Sequence, residues 1–250
     1  MLRQTMLASG MILAASLISA TSYAADKAPA EVTAAVADAG RPAADKERDA
    51  DRKPAETLAF AGIKSGQQVV DFLPGGGYFT RIFSKTVGPK GHVTALSPAT
   101  TPEKYTVAAK AIAADPGYSN VTAVSQSPAD LPAGSVDLFF TAQNYHDLHN
   151  IPSLDVAAVD KAIFAALKPG GILLVIDHSA PAGSGVQDTN TLHRIDEAVV
   201  KTEVESAGFK LVGESDILKN PKDPRTAVVF DPSVKGKTDQ FMLKFEKPKM

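Results

Sequence analysis

His146 and His149 stand three residues apart in Thr141-Ala142-Gln143-Asn144-Tyr145-His146-Asp147-Leu148-His149, a polar segment that directly follows an apolar run. An imidazole is half neutral near pH ~6.5, so His146 can act as a general base, and Asn144 and Tyr145 beside it can hold a polar ligand by hydrogen bonds. At that spacing the two histidines share one face of a helix, where His178 could join them, with Asp147 or Asp177, around a divalent metal. No HExxH pattern accompanies them, and a site without metal is the expectation. The same residues also read as a capping and loop network, with Asp147 or Asn150 satisfying free amides.

A second stretch, Val69-Val70-Asp71-Phe72-Leu73-Pro74-Gly75-Gly76-Gly77-Tyr78-Phe79, is an apolar strand carrying a carboxylate and running into three glycines. Glycines take positive φ and lack a Cβ, so the main chain can approach a ligand closely. The segment reads either as a nucleotide-cradling turn or as a tight strand-to-helix connection. Further on, Asp177-His178-Ser179 follows another apolar run without Gly-x-Ser-x-Gly, so a serine hydrolase is not indicated. In Thr191-Leu192-His193-Arg194-Ile195-Asp196, Arg194 could hold a carboxylate or phosphate through its planar fork, or pair with a neighbouring acid at the surface.

These groups sit in a chain of 250 residues with a formal net charge of -2 and no cysteine. Thiolate metal sites and cysteine nucleophiles are thereby excluded, and the scattered charges offer no field for a nucleic acid. Residues 1–24, with Arg3, an apolar run from Met6 to Ile18 and Ser22-Tyr23-Ala24 at the end, read as a secretory signal peptide. The expected location is periplasmic or secreted, with no membrane attachment once the signal is cleaved. Residues 25–44 are rich in Ala, Pro and Asp and are expected to form a flexible N-terminal arm. The crowded charges from Asp45 to Lys53 read as a solvated helix face. Residues 45–250 are expected to form one domain.

Apolar runs at Val69 to Leu73, Val93 to Leu96, Val121 to Val124, Val136 to Phe140 and Ile172 to Ile176 have the continuity of buried parallel strands. Helical segments alternate with them at Tyr78 to Thr86, Pro102 to Ala114, Leu154 to Leu167 and Ile195 to Ala207. Phe209 to Glu214 and Gln240 to Phe245 read as two late strands with no helix between them, which implies an antiparallel pair. In such an α/β sheet, ligands sit at the carboxyl ends of the parallel strands.

The turn after Asp71, Leu167-Lys168-Pro169-Gly170-Gly171 before one strand and Ala207-Gly208-Phe209 before another resemble a class I S-adenosylmethionine-dependent methyltransferase. The resemblance covers about Ala55 to Lys247. Segments 144–149, 177–178 and 191–196 look more specifically like an exported bacterial subgroup of predicted methyltransferases. The resemblance implies a three-layer Rossmann-like sandwich on a mostly parallel seven-stranded sheet whose last strand is antiparallel. It implies S-adenosylmethionine as cofactor, held by Asp71, Gly75, Gly76 and Gly77, and a small-molecule methyl acceptor facing Asn144, Tyr145 and His146. His149, His178, His193 and Arg194 fall where it implies substrate contacts.

Three positions depart from the family pattern. Leu73 replaces the usual first glycine. Ser97 stands where a carboxylate grips the ribose hydroxyls, and Ser127 stands where an acid reaches the adenine, with Asp130 three residues on as its replacement. These departures and the leader support an alternative: an exported, non-catalytic binder of a small ligand on a degenerate methyltransferase fold.

Overall fold

The computed structural model describes residues 28–249, so the leader expected at 1–24 lies outside the described residues. Seven strands, β1 (Gln68–Phe72), β2 (His92–Ser97), β3 (Val121–Ser125), β4 (Val136–Ala142), β5 (Leu167–His178), β6 (Lys210–Ser215) and β7 (Gln240–Glu246), form one sheet in the order β3-β2-β1-β4-β5-β7-β6. Strands β1 to β5 pair in parallel, and β7 runs antiparallel to β5 and β6. This is the Rossmann-like sandwich expected from the sequence.

Alternate residues of a doubly covered strand serve opposite layers. Val69 shares a core with Leu58, Ile82 and Phe83, on α4 (Pro54–Ala61) and α5 (Tyr78–Val87). Val70 and Phe72 belong to a second core with Ile163 and Val200, on α8 (Val156–Ala166) and α9 (Glu197–Ser206). The connections run outward from β1 to β3, then cross back to β4. A crevice therefore opens at the carboxyl ends of β1 and β4.

Two elements differ in detail. The helix expected from Pro102 splits into a 3-10 turn at Glu103–Tyr105 and α6 (Val107–Ala114). Lys168 to Gly171, expected to precede the fifth strand, belongs to it across a register shift opposite Val136 and Leu138.

The flexible arm is a larger correction. From residue 28 the chain is docked: in α1 (Ala30–Val36), Val32 and Ala35 are buried in the first core, and α2 (Ala43–Lys46) follows. The helix lies on α5, whose Ile82 and Phe83 belong to the same core, and the partly buried Val36 packs against that core as well. The charged run is not a solvated face either. Asp49, on α3 (Asp49–Arg52), accepts two hydrogen bonds from Arg41 at 2.9 and 2.7 Å and one from the Tyr78 hydroxyl at 2.6 Å. Asp45 pairs with Arg81 at 2.9 Å. Ionic partners on α5 hold down a segment whose composition offers little hydrophobic surface.

Candidate active site

The turn that leaves β1 bends sharply. Leu73 has φ of 57° and its N–H reaches Leu96 O at 2.8 Å, so a leucine occupies the left-handed backbone that a glycine would take without strain. Gly75 follows at φ 53°, and a Cβ on Gly75 or Gly76 would meet nothing within 4 Å. Both glycines border a cavity of about 770 Å³, a size suited to a cofactor and a small ligand. Gly77 turns away from it: a Cβ there would lie 2.1 Å from Ile112 Cδ1, so this glycine lets α5 and α6 approach each other.

Asp71 lines the cavity, is buried and accepts a 2.6 Å hydrogen bond from Thr80 Oγ1. Burial pushes its carboxyl up to about 7, against the opposing effects of Thr80 and the Arg52 charge. A cationic ligand would restore the charge that burial suppresses. Ser97, buried at the end of β2, also lines the cavity, next to Thr100 and Thr101. Asp130 does not. It closes a reciprocal cap in which Ser127 N donates to Asp130 Oδ2 at 3.0 Å and Ala129 N donates to Ser127 Oγ at 3.2 Å, on an exposed 3-10 turn. Its carboxylate is used locally, so it does not stand in for the missing acid.

Beyond β4, Gln143 takes a left-handed φ of 65° and α7 (Tyr145–Leu148) begins. Asn144 lines the cavity, but both its amide hydrogens are committed, to Leu73 O at 3.0 Å and Ala142 O at 2.7 Å. It clamps the turns after β1 and β4 together and has only its carbonyl oxygen to offer a ligand. His146 also lines the cavity. Its Nδ1 lies 2.8 Å from an oxygen of Asp177, a fully buried carboxylate that also accepts from the backbone N–H of His146 at 2.7 Å and of His178 at 2.8 Å. Burial opposes a charge on His146, but Asp177 and Asp147 together outweigh it and raise its pKa. Burial would raise Asp177 too, yet the imidazole and its hydrogen bonds hold it below the usual carboxylate value.

His146 Nε2 lies 3.2 Å from His193 Nδ1 and 3.4 Å from Asp147 Oδ1, which is 3.5 Å from His193 Nδ1. His178 borders the same cavity, with its Nδ1 2.7 Å from Thr238 Oγ1; burial holds its pKa down at about 4, so the ring is neutral.

Three further expected residues, besides Gly77 and Asp130, face elsewhere. Tyr145 is buried beneath α7, its hydroxyl 2.9 Å from Asp160 and 3.1 Å from Glu203. Neighbouring helical residues point about 100° apart, so when His146 faces the cavity Tyr145 faces the core. His149 pairs with Glu203 at 3.2 Å on that same side. Arg194 has no exposed surface and is consumed by Asp223, at 2.8 and 3.2 Å, and by the carbonyls of Ser179 and Ala227. It locks the loop before β7 to the end of β5. Tyr145→Phe is therefore expected to keep turnover within about threefold and to lower stability by about 1–3 kcal/mol, since buried Asp160 loses a donor. Urea unfolding and steady-state rates check this; a tenfold slower enzyme of unchanged stability would return Tyr145 to the ligand side.

Several cavity residues have no forerunner in the sequence reading. Arg48 and Arg52 line it, with the Arg52 guanidinium 4.5 Å from the Tyr78 ring centre and 4.7 Å from that of Phe79. Their spacing of four, which places both on one helical face, was the available signal. Tyr105 and Phe230, both largely exposed, border the cavity as well, Phe230 with its ring 4.9 Å from that of His193.

A family model described as the ubiE/COQ5 methyltransferase family matches residues 51–195, more than half of the chain. The chain belongs to the ubiE/COQ5 methyltransferase family. The matched residues hold Asp71, Gly75, Gly76, Ser97, His146, Asp177 and His193 of this class I S-adenosylmethionine-dependent methyltransferase family member.

Among curated relatives, the ubiquinone/menaquinone biosynthesis C-methyltransferase UbiE of Pseudomonas paraeruginosa (strain DSM 24068 / PA7) is 30% identical over 128 residues, 51% of this chain and 48% of that protein. The same-named protein of Pasteurella multocida (strain Pm70) is 27% identical over 181 residues, 70% of this chain and 65% of the relative. The chain spans about half the length of the first of these relatives.

Two solved structures share the fold of this ubiE/COQ5 family member. One is a SAM-dependent methyltransferase from Aquifex aeolicus, with TM-score 0.57 and 21% identity over 82% of this chain and 98% of that one. The other is the cyclase SpnF, with TM-score 0.60 and 17% identity over 88% and 92%. Since one neighbour is named as a cyclase, the fold by itself does not select the reaction.

Proposed function

We propose that the protein transfers a methyl group from S-adenosylmethionine to a small-molecule acceptor, with carbon as the receiving atom. The observation that carries this reading is the convergence on one cavity of the open Gly75–Gly76 turn with Asp71 and of the Asp177-backed His146. The first group fits the cofactor: an open turn with no Cβ between its main chain and the cavity, beside a buried carboxylate in need of a cation. Ser97, Thr100 and Thr101 offer hydroxyls where the family places a carboxylate. Carbon is favoured because the curated relatives are named C-methyltransferases.

When bound, S-adenosylmethionine supplies a methyl on a positively charged sulfur, which a nucleophile displaces with S-adenosylhomocysteine as leaving group. The chain aligns the two reactants, since in-line displacement gains most from positioning. Asn144 keeps the cofactor turn and the acceptor segment in fixed register. The cluster of His146, Asp147 and His193 faces the acceptor and favours its deprotonated, nucleophilic form. Residues 1–24 support an exported location, periplasmic or secreted, and N-terminal sequencing of protein from its host tests it.

Calorimetric titration with S-adenosylmethionine and S-adenosylhomocysteine is expected to show one site of micromolar affinity for each. No heat at millimolar ligand would overturn methyl transfer and leave a non-catalytic binding protein.

A further inference from the structure

We propose that His146, Asp147 and His193 bind one divalent transition-metal ion of the zinc class in the wall of the cavity, leaving a coordination position open to its occupant. The three candidate ligand atoms form a triangle with sides of 3.2, 3.4 and 3.5 Å. Ligands bound at about 2.0–2.1 Å to a tetrahedral ion lie about 3.3–3.4 Å apart. Three adjacent ligands on an octahedral ion with bonds of that length would lie closer together, at about 2.9–3.0 Å. The triangle has tetrahedral dimensions.

The donor types agree with the dimensions. Two imidazoles and one carboxylate are a ligand set of three-ligand catalytic zinc sites, in which the fourth position stays free. The surroundings aim the ligands as such a site requires. Asp177, fully buried, bonds His146 Nδ1 and so presents Nε2 to the triangle, as second-layer carboxylates do for metal-bound histidines. His193 is held at φ 55°, a left-handed backbone that is strained for histidine, with the Phe230 ring against its imidazole. Strain of this kind persists where the surrounding structure fixes a side chain's direction. Both carboxylates, Asp147 in the triangle and Asp177 behind it, complement a dipositive ion.

The grouping differs from the one that the sequence suggested. His149 Nε2 is taken by Glu203 and His178 Nδ1 by Thr238, while His193, 47 residues from His146 in the chain, completes the triangle. All three ligands line the cavity, so the fourth position suits an anionic oxygen of the methyl acceptor, whose proton leaves to water. That use of the ion rests on the methyl-transfer reading; the binding of the ion does not.

The test is titration of the full chain, expressed without a histidine tag and stripped with chelator, using zinc sulfate by calorimetry and cobalt chloride by visible absorption. One ion per chain at micromolar affinity or tighter is expected, with the intense absorption of tetrahedral cobalt. His193→Ala and Asp147→Asn, at partly exposed positions, are each expected to weaken zinc by roughly 100-fold or more, whereas His149→Ala keeps the affinity. Absence of binding at about 100 micromolar zinc, or an affinity unchanged in both ligand variants, overturns the site. Titrating the same stripped sample with S-adenosylmethionine separates the two ideas: cofactor binding without zinc binding sinks the metal site alone.

Discussion

Replacing His146 with alanine is expected to lower turnover by about two to four orders of magnitude while S-adenosylmethionine affinity stays within about twofold. The imidazole is 2% exposed, and its surroundings are built to orient it: Asp177 fixes one nitrogen and leaves the other at the junction with Asp147 and His193. The cofactor turn at Gly75 and Gly76 belongs to a different strand and touches none of these groups through a hydrogen bond among the described residues. Asp177 would still accept from two backbone N–H groups in the variant, so the fold should survive the loss. Incorporation of labelled methyl from the cofactor into small molecules of a host extract reads the rate, and calorimetry reads the affinity. If both fell together, His146 would be a structural residue.

Asp71→Asn should part stability from function. The unfolded chain gives up this proton near the ordinary aspartate value and the folded chain at about 7. Folding therefore takes up a proton between those values, and the folded state loses stability as pH rises from about 4 to about 7. Above that window the penalty is complete and amounts to roughly 2–4 kcal/mol once the burial of an amide is set against it. The asparagine variant, which cannot ionise, is expected to melt about 5–10 °C higher than the native protein at pH ~8, with the gap closing toward pH ~4. Its affinity for S-adenosylmethionine should fall by about 10- to 100-fold, the worth of a charge-assisted hydrogen bond. A variant no more stable than the native protein at the higher pH would mean that Asp71 is not held against its charge. A stabilised variant that still bound the cofactor tightly would remove Asp71 from the site. Retaining a costly buried carboxylate at the mouth of a glycine turn is the trade of stability for binding seen at functional sites.

The amino-acid sequence by itself determined the strands, their parallel succession and the antiparallel ending. A strand covered on both faces is apolar along most of its length, and that continuity is local and legible at Leu138 to Phe140 or Leu173 to Ile176. It also marked Asp71, Gly75, Gly76 and His146, because glycines in succession and a histidine in a polar segment after a strand need no partner to be noticed. Tertiary structure decided which neighbours of these residues share the cavity. Tyr145 lost its place there through the turn of a short helix, and Arg194 through an acid 29 residues away. His193 gained a partner 47 residues distant, and the charged segment around Arg48 and Arg52 was drawn onto the cavity by its pairing with α5. Local periodicity encodes which face of an element is buried. Which polar group meets which is settled only when sheet order and loop docking bring distant residues within reach, and one charge or imidazole can serve equally as a surface group, a buried clamp or a ligand until that happens.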